Sequence, residues 1–315
     1  MLDSPLPDTL LDAARLAPSS HNTQPWLFQR RNGRIGLIAD RTRALPVNDP
    51  DDRELTISCG CALMNLRVAA AARGDGMRID CFPEADDPDL LAWLWHEGPV
   101  ERDLAGLAEA IPLRHTHRKA FRDTPVDPDL VTRLIREAEQ ENALLIPLDS
   151  EAARHSAAAL VMQGDAAQWS DRRWRRELAA WMHPRRKGDG LSLPGIAVPV
   201  AQMLVRSFDM GGGIGAKDAE LAEASPLLAV LSTDGDTEAE WLAAGQALQR
   251  VLLTAVTKGV QASYLNQPIQ VGELRGALRR LTGRQDKPQL LLRFGHPKEA
   301  GSHAPRRPLS DMVIA

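Results

Sequence analysis

Residues 60–74 read GCALMNLRVAAAARG, and residues 245–259 read GQALQRVLLTAVTKG. Gly60, Ala62, Leu63, Ala70 and Gly74 match Gly245, Ala247, Leu248, Ala255 and Gly259 at a constant offset of 185. Both stretches are apolar at helical intervals, end on glycine and precede a strand-like run, at 77–82 and at 260–265. Recurrence at a fixed offset marks an internal repeat. Small residues at this spacing let two helices approach closely. Two readings stay open on this observation alone. One is a chance likeness between alanine- and leucine-rich helices. The other is two related halves whose long helices share an interface, as in a homodimer fused into one chain.

Around the first copy, residues 8–17 predict an amphipathic helix stopped by Pro18. Residues 26–29 and 35–39 predict strands about the turn Asn32-Gly33, a strong hairpin signal. Asp49 and Pro50 open the long helix, and strands follow at 77–82 and 90–96. A second module starts near residue 101. It predicts a helix from Asp127 or Pro128 to about Glu139, a strand at 144–148, and a broken helix over 151–182. The stretch 187–215 carries Gly211-Gly212-Gly213 and reads as an excursion rather than a core element. A strand at 227–232, a helix at 238–258, a strand at 260–265, a helix at 273–281 and a strand at 290–294 complete the chain, before an extended basic tail.

The 315 residues are 43% hydrophobic and 25% charged with a net charge of −4, which argues against a nucleic-acid partner. No apolar run is expected to reach the ~18–20 residues of a membrane span; the most apolar stretch, 195–205, is broken by Pro199. The N-terminus lacks a signal-peptide pattern. Three cysteines suggest a reducing cytoplasm. Cys59-Gly-Cys61 sits inside a helical apolar pattern without a second ligand pair, so it reads as core.

Two polar clusters carry chemistry. The loop Pro18-Ser19-Ser20-His21-Asn22-Thr23-Gln24-Pro25-Trp26 sets hydroxyls and amides on a proline-flanked turn. Amides donate and accept, which suits the edge of a flat heterocycle; a capped turn is the plainer alternative. Arg114-His115-Thr116-His117-Arg118 offers two guanidinium groups and a hydroxyl, donors that fit a phosphate, or else a solvated basic loop. Histidines two apart on a strand face opposite ways and have no carboxylate pattern beside them, so no metal is expected. Arg306 and Arg307 would complete a phosphate pocket.

Together PSSHNTQPW at 18–26, RHTHR at 114–118 with Phe121 and Pro125-Val126, and FGHP at 294–297 with PRRPL at 305–309 resemble the FMN-dependent nitroreductase family. The resemblance covers most of the chain outside about 165–215. It implies an α+β nitroreductase-like fold, with two related halves of one chain forming an internal pseudo-dimer around long central helices. Residues 1–100 would form the first half, with the flavin-ring loop. Residues 101–315 would form the second, with the phosphate motif. It implies that Pro18, Ser19, Ser20, Asn22 and Gln24 meet the ring, and that Arg114, Thr116, Arg306 and Arg307 hold the phosphate. His115 would sit beside the ribityl chain, Arg118 would be the catalytic cation near flavin N1, and backbone N–H groups near Leu265 and Asn266 would face N5. The first half lacks an R-x-[ST]-x-R motif and the second lacks N-x-Q-P-W, so one FMN per chain is implied.

The insert at about 165–215 resembles the lid of the Acg-like branch. Its Trp169, Trp174 and Trp181 would dock it on the core or face the flavin. The implied activity is NAD(P)H-dependent two-electron reduction of nitroaromatic or quinone-type molecules; the alternative is a non-catalytic FMN-sequestering protein closed by its lid. The chain would function alone or in a further dimer.

Overall fold

The computed structural model describes residues 6–182, 188–191 and 198–314. Its helices are α1 (Asp8–Ala14), α2 (Arg53–Arg73), α3 (Arg102–Ala105), α4 (Pro128–Glu139), α5 (Glu151–Ser170), α6 (Arg172–Ala180), α7 (Val198–Ser207), α8 (Gly211–Glu223), α9 (Glu238–Val256), α10 (Gln267–Gln270) and α11 (Gly272–Leu281). Its strands are β1 (Trp26–Arg31), β2 (Arg34–Ala39), β3 (Met77–Cys81), β4 (Leu90–His96), β5 (Leu144–Pro147), β6 (Leu227–Thr233), β7 (Gln261–Tyr264), β8 (Lys287–Gly295) and β9 (Val313–Ile314). This is an α+β chain with two sheets, ordered β3-β4-β2-β1-β9 and β5-β6-β8-β7.

The hairpin forms as its turn dictates. Asn32 and Gly33 both take positive φ, 50° and 71°, the geometry that matches the twist of paired strands. Pairing is antiparallel throughout except at β9, which returns from the C-terminus to lie parallel to β1.

The long helix begins at Arg53, later than Asp49 suggested, because Asp49 acts from outside. Its Oδ2 accepts the Leu55 N–H at 2.9 Å. Both repeat helices end alike. Gly74 and Gly259 take φ of 80° and 70°, and the next N–H, of Asp75 or Val260, returns to Ala70 O or Ala255 O.

α2 and α9 pack along their small residues into a core shared with both sheets. A β-carbon at Gly60 would overlap the Leu242 carbonyl oxygen and stand 2.9 Å from Gly245 Cα. One at Gly245 would overlap the Ile57 carbonyl oxygen and stand 2.8 Å from Gly60 Cα. Ile57 and Leu242 are themselves 185 apart, so the contact is reciprocal, as in an isologous interface.

Two expectations are corrected. α2 is long and apolar enough by composition to cross a membrane, with mean hydropathy 1.5 over its most apolar window, although no such run was expected. It is a core helix, 89% of that window being buried. The stretch 187–215 is more regular than its glycines suggest, since α7 and the start of α8 lie in it. Asp209 Oδ1 accepts the Gly211 N–H at 2.9 Å, and α8 then lies so close to α5 that β-carbons at Gly211 and Gly215 would stand 3.0 and 3.2 Å from Trp169 Cβ and Asp165 Cβ. Helix proximity outweighs glycine's poor helix propensity. Residues 183–187 and 192–197, part of the expected lid and of the apolar stretch 195–205, lie outside the described residues.

Cys59 and Cys61 are buried core groups whose thiols burial pushes well above their ordinary range, as the core reading expects.

Candidate active site

The loop after α1 is held in an uncommon shape. His21, Asn22 and Gln24 have φ of 48°, 54° and 51°. Left-handed backbone at such residues costs on the order of 1 kcal/mol or more each and persists only where surroundings enforce it. The tail does the enforcing. Arg306 donates to Leu16 O, Ala17 O and Asn22 Oδ1 at 3.1–3.2 Å. Arg307 donates its backbone N–H to Gln24 Oε1 at 3.0 Å and its guanidinium to Gln24 O at 3.1 Å. Inside the loop, Ser19 Oγ accepts the Gln24 N–H at 2.9 Å, and Ser20 Oγ donates to Glu54 Oε2 at 2.5 Å.

Residues 113–118 are laid beside β7. Thr116 bridges Ala262, the His117 N–H donates to Ala262 O at 2.9 Å, and Gln261 ties Leu113 and His115. Arg293, 1% exposed, donates to the carbonyls of His117 and Lys119 at 3.0 Å each.

Between these segments lies a cavity of about 370 Å³, within the range of small-molecule sites. Of the expected site residues, Pro18, Ser19, Ser20, Thr116, Arg118, Leu265 and Asn266 line it. Asn22, Gln24, Arg114, His115, Arg306 and Arg307 are not in its wall. Gln24 and Arg307 hold one another, and Asn22 holds Arg306, Gly190 O and Pro305 O. The Leu265 N–H is bound to Leu291 O at 2.9 Å, so this N–H is not free to face a ligand.

Sequence reasoning missed several wall residues: Glu54, Asp165, Asp218, Tyr264, Gln267, Gln270 and Arg293. Most lie singly on helices or strands with no motif around them; the neighbourhood of 264–267 to Leu265 and Asn266, and of Arg293 to FGHP at 294–297, offered a signal.

The charges are unevenly satisfied. Arg118 lines the cavity with no carboxylate beside it among the described residues; its electrostatic neighbours include Tyr264, His21 and Arg114. The Tyr264 hydroxyl, Arg114 Nε, Arg306 Nε and His115 Nε2 are all buried without a hydrogen-bond partner among the described residues. Burial, Arg114 and Arg15 push the Arg306 guanidinium down to about 9, and burial, His115 and nearby arginines lower His303. Positive groups crowded together with donor atoms left over are the mark of an anion site, since orphaned buried donors cost about 1–3 kcal/mol or more each. Opposite in sign, Glu54 holds Gln270 Nε2 at 2.9 Å. His21 has an orphaned Nδ1, and burial drops its pKa to about 4, so it is neutral at pH 7.

The far wall comes from α5, α6 and α8. Trp169 and Trp174 meet edge-to-face at 5.5 Å and line the cavity. The same residues dock the insert: Trp174 Nε1 donates to Asn48 Oδ1 at 2.9 Å, and Glu177 accepts the N–H groups of Val47 and Asn48 at 2.9 Å each. Arg43 lies over Trp181 at 5.5 Å and pairs with Asp189. Docking and lining are therefore not alternatives for Trp174, whereas Trp181 is not in the cavity wall.

No protein-family profile matches the chain. A Mycobacterium tuberculosis protein provisionally named an NAD(P)H nitroreductase is 32% identical, the match covering 97% of this chain and 90% of the relative. Another from that organism, the provisionally named nitroreductase Acg, is 29% identical over 97% of this chain and 95% of its own length. Among solved structures, the FMN-dependent nitroreductase NfnB of Mycobacterium smegmatis, in complex with NADPH, matches 68% of this chain and 99% of its own, at 20% identity and a TM-score of 0.45. On the sequence relationship, end to end and at 32% identity, the chain belongs to the NAD(P)H nitroreductase family.

Proposed function

We propose that this chain binds one FMN and uses NAD(P)H to reduce small nitroaromatic or quinone-type molecules. The observation that carries the reading is Arg118 and Tyr264 in the wall of a cavity that the loop 18–21 also lines, with Arg114 and Arg306, each with an orphaned Nε among the described residues, acting on Tyr264 from outside that wall. That set fits a group with a flat polar edge and a phosphate of about −1.5 to −2 charges.

Bound FMN supplies two-electron transfer through its ring system. The protein does the rest. Arg114, Arg306, Thr116 and His115 would hold the phosphate and chain, and Ser19 and Ser20 would bind the ring edge. Arg118, with no carboxylate beside it among the described residues, would stabilise negative charge gained on reduction. Trp169 and Trp174 would exclude water and present a flat surface to either substrate.

The reciprocal contact of α2 and α9 supports reading the chain as two related halves, 1–100 and 101–315. It also supports a single site. Cys61 lines the cavity, whereas Gln246, 185 positions on, accepts from Arg67 at 2.9 Å. Arg67 also pairs with Glu101 and Glu141, and Arg250 with Asp103, Glu137 and Glu141. In this reading those ion pairs stand in for a second cofactor. The segment from Asp165 to Gly215 acts as a lid in this reading, and the three free thiols suit a cytoplasmic protein.

The test is the flavin content of the purified chain and its anaerobic bleaching by NADPH. One FMN per chain and rapid bleaching are expected. Bound flavin that NADPH leaves oxidised would favour sequestration, and a colourless protein that binds no added FMN would end the proposal.

A further inference from the structure

Asp165 on α5 and Asp218 on α8 face the same cavity from the lid side. They are brought together by close packing: Gly215 lets α8 approach Asp165 Cβ, and Gly164 leaves no room between α5 and Gln267. Gln267 Nε2 joins them, donating to Asp218 Oδ2 at 2.9 Å and to both Asp165 oxygens at 3.3 Å, while Gln267 Oε1 has no partner among the described residues. Asp165 is 3% exposed and has no cation against it among the described residues. Arg293 on β8 lines the same cavity, 1% exposed, with its Nε orphaned, and its charge acts on Asp218. Lys217 also acts on Asp218, and Glu54 stands in the cavity wall on α2.

We propose that Asp165 gives a proton to the electron acceptor in this cavity, and that Asp218 and Gln267 position it. The inference rests on the oxidoreductase reading and narrows its substrate class. The acceptor would be flat, to lie against Trp169 and Trp174. Its reducible end would be oxygen, a quinone carbonyl or nitro group, because a carboxylic acid needs a basic oxygen to protonate.

Reduction of a quinone to a hydroquinone consumes one hydride, originating in the nicotinamide, and one proton. Both carbonyl π bonds are lost as the ring becomes aromatic and two O–H bonds form, the hydride with its electron pair accounting for one and the Asp165 proton for the other, and Asp165 is left as a carboxylate that regains its proton from solvent. Such an acid must be neutral beforehand. Burial first, and Asp218 second, raise the Asp165 carboxyl to about 7, and burial raises Asp218 as well. Two like charges held together by a neutral amide share protons rather than ionise both.

The test is stopped-flow reoxidation of the NADPH-reduced holoprotein by 1,4-naphthoquinone and by ferricyanide, which takes electrons without a proton. Asp165→Asn is expected to slow the quinone reaction roughly 10²-fold, the usual size of a general-acid contribution, and ferricyanide at least tenfold less. Asp218→Asn removes the like charge, so the fall in quinone rate with rising pH moves to lower pH. In parallel, carbon-13 NMR of the aspartate carboxyls should show an Asp165 midpoint near 7, displaced downward in Asp218→Asn. Equal slowing with both oxidants, or an Asp165 midpoint in the ordinary carboxylate range, overturns the inference while leaving the flavin reading intact. A wild-type protein that NADPH does not reduce overturns both.

Discussion

Gly60 and Gly245 lie against each other where the two long helices cross, and neither position has room for a methyl group. A β-carbon on one would stand within 3 Å of the other's Cα and against a carbonyl oxygen of the opposite helix. Gly60→Ala and Gly245→Ala should therefore each push α2 and α9 apart. Overpacking of this kind costs roughly 1–3 kcal/mol. Calorimetry should show a lower Tm for each, and a double variant no worse than the sum, because the first already opens the gap. An unchanged Tm in both would mean the helices do not meet there.

Arg114→Ala combined with Arg306→Ala should weaken FMN binding far more than it lowers stability. Each lost charge-assisted hydrogen bond is worth about 1.5–3 kcal/mol, so an affinity loss of about 10²-fold or more is expected by fluorescence titration. Arg306 also holds Asn22 and the end of α1, so Arg306→Ala alone should loosen the loop 18–24. Unaltered affinity in the double variant would remove the phosphate assignment.

Glu177→Gln tests the lid. The carboxylate accepts two backbone N–H groups from Val47 and Asn48, and the amide can accept only through its one oxygen. The insert should detach more often, and iodide should quench flavin fluorescence more strongly in the variant, with global Tm little changed. Equal quenching in wild type and variant would show that this contact does not govern access.

Stability should depend on pH through three buried groups. Asp165 and Asp49 are raised to about 7, mainly by burial, so the folded chain binds more protons than the unfolded chain between about 4 and 7. Their stabilising contribution is present below the unfolded pKa and fades as pH climbs toward 7. His21, lowered to about 4 by burial, acts oppositely: its contribution fades as pH falls from 6.5 toward 4. Asp165→Asn should thus raise Tm by a few degrees at pH 8 and by little at pH 4. A gain of the same size at both pH values would show that Asp165 is not neutral in the fold.

The sequence alone determined what depends on neighbours in the chain. Asn32-Gly33 specified its hairpin because both residues tolerate positive φ, and Asp127 specified the start of α4 by accepting the Asp129 N–H. The repeat at 60–74 and 245–259 announced two matching helices because close packing leaves its trace in small residues at fixed spacing. The motifs at 18–26, 114–118 and 305–309 pointed to segments that meet, since Arg306 reaches Asn22 and Thr116 lines the same cavity as Ser19 and Ser20. Only the tertiary structure decided which of those side chains face the cavity and which hold the loops, because that depends on distant partners: Gln24 turns to Arg307, not inward. It alone brought Asp165 to Asp218, two aspartates on separate helices whose sequence surroundings carry no sign of chemistry. It also made a helix of Gly211-Gly212-Gly213, because the nearness of α5, not local propensity, sets that backbone.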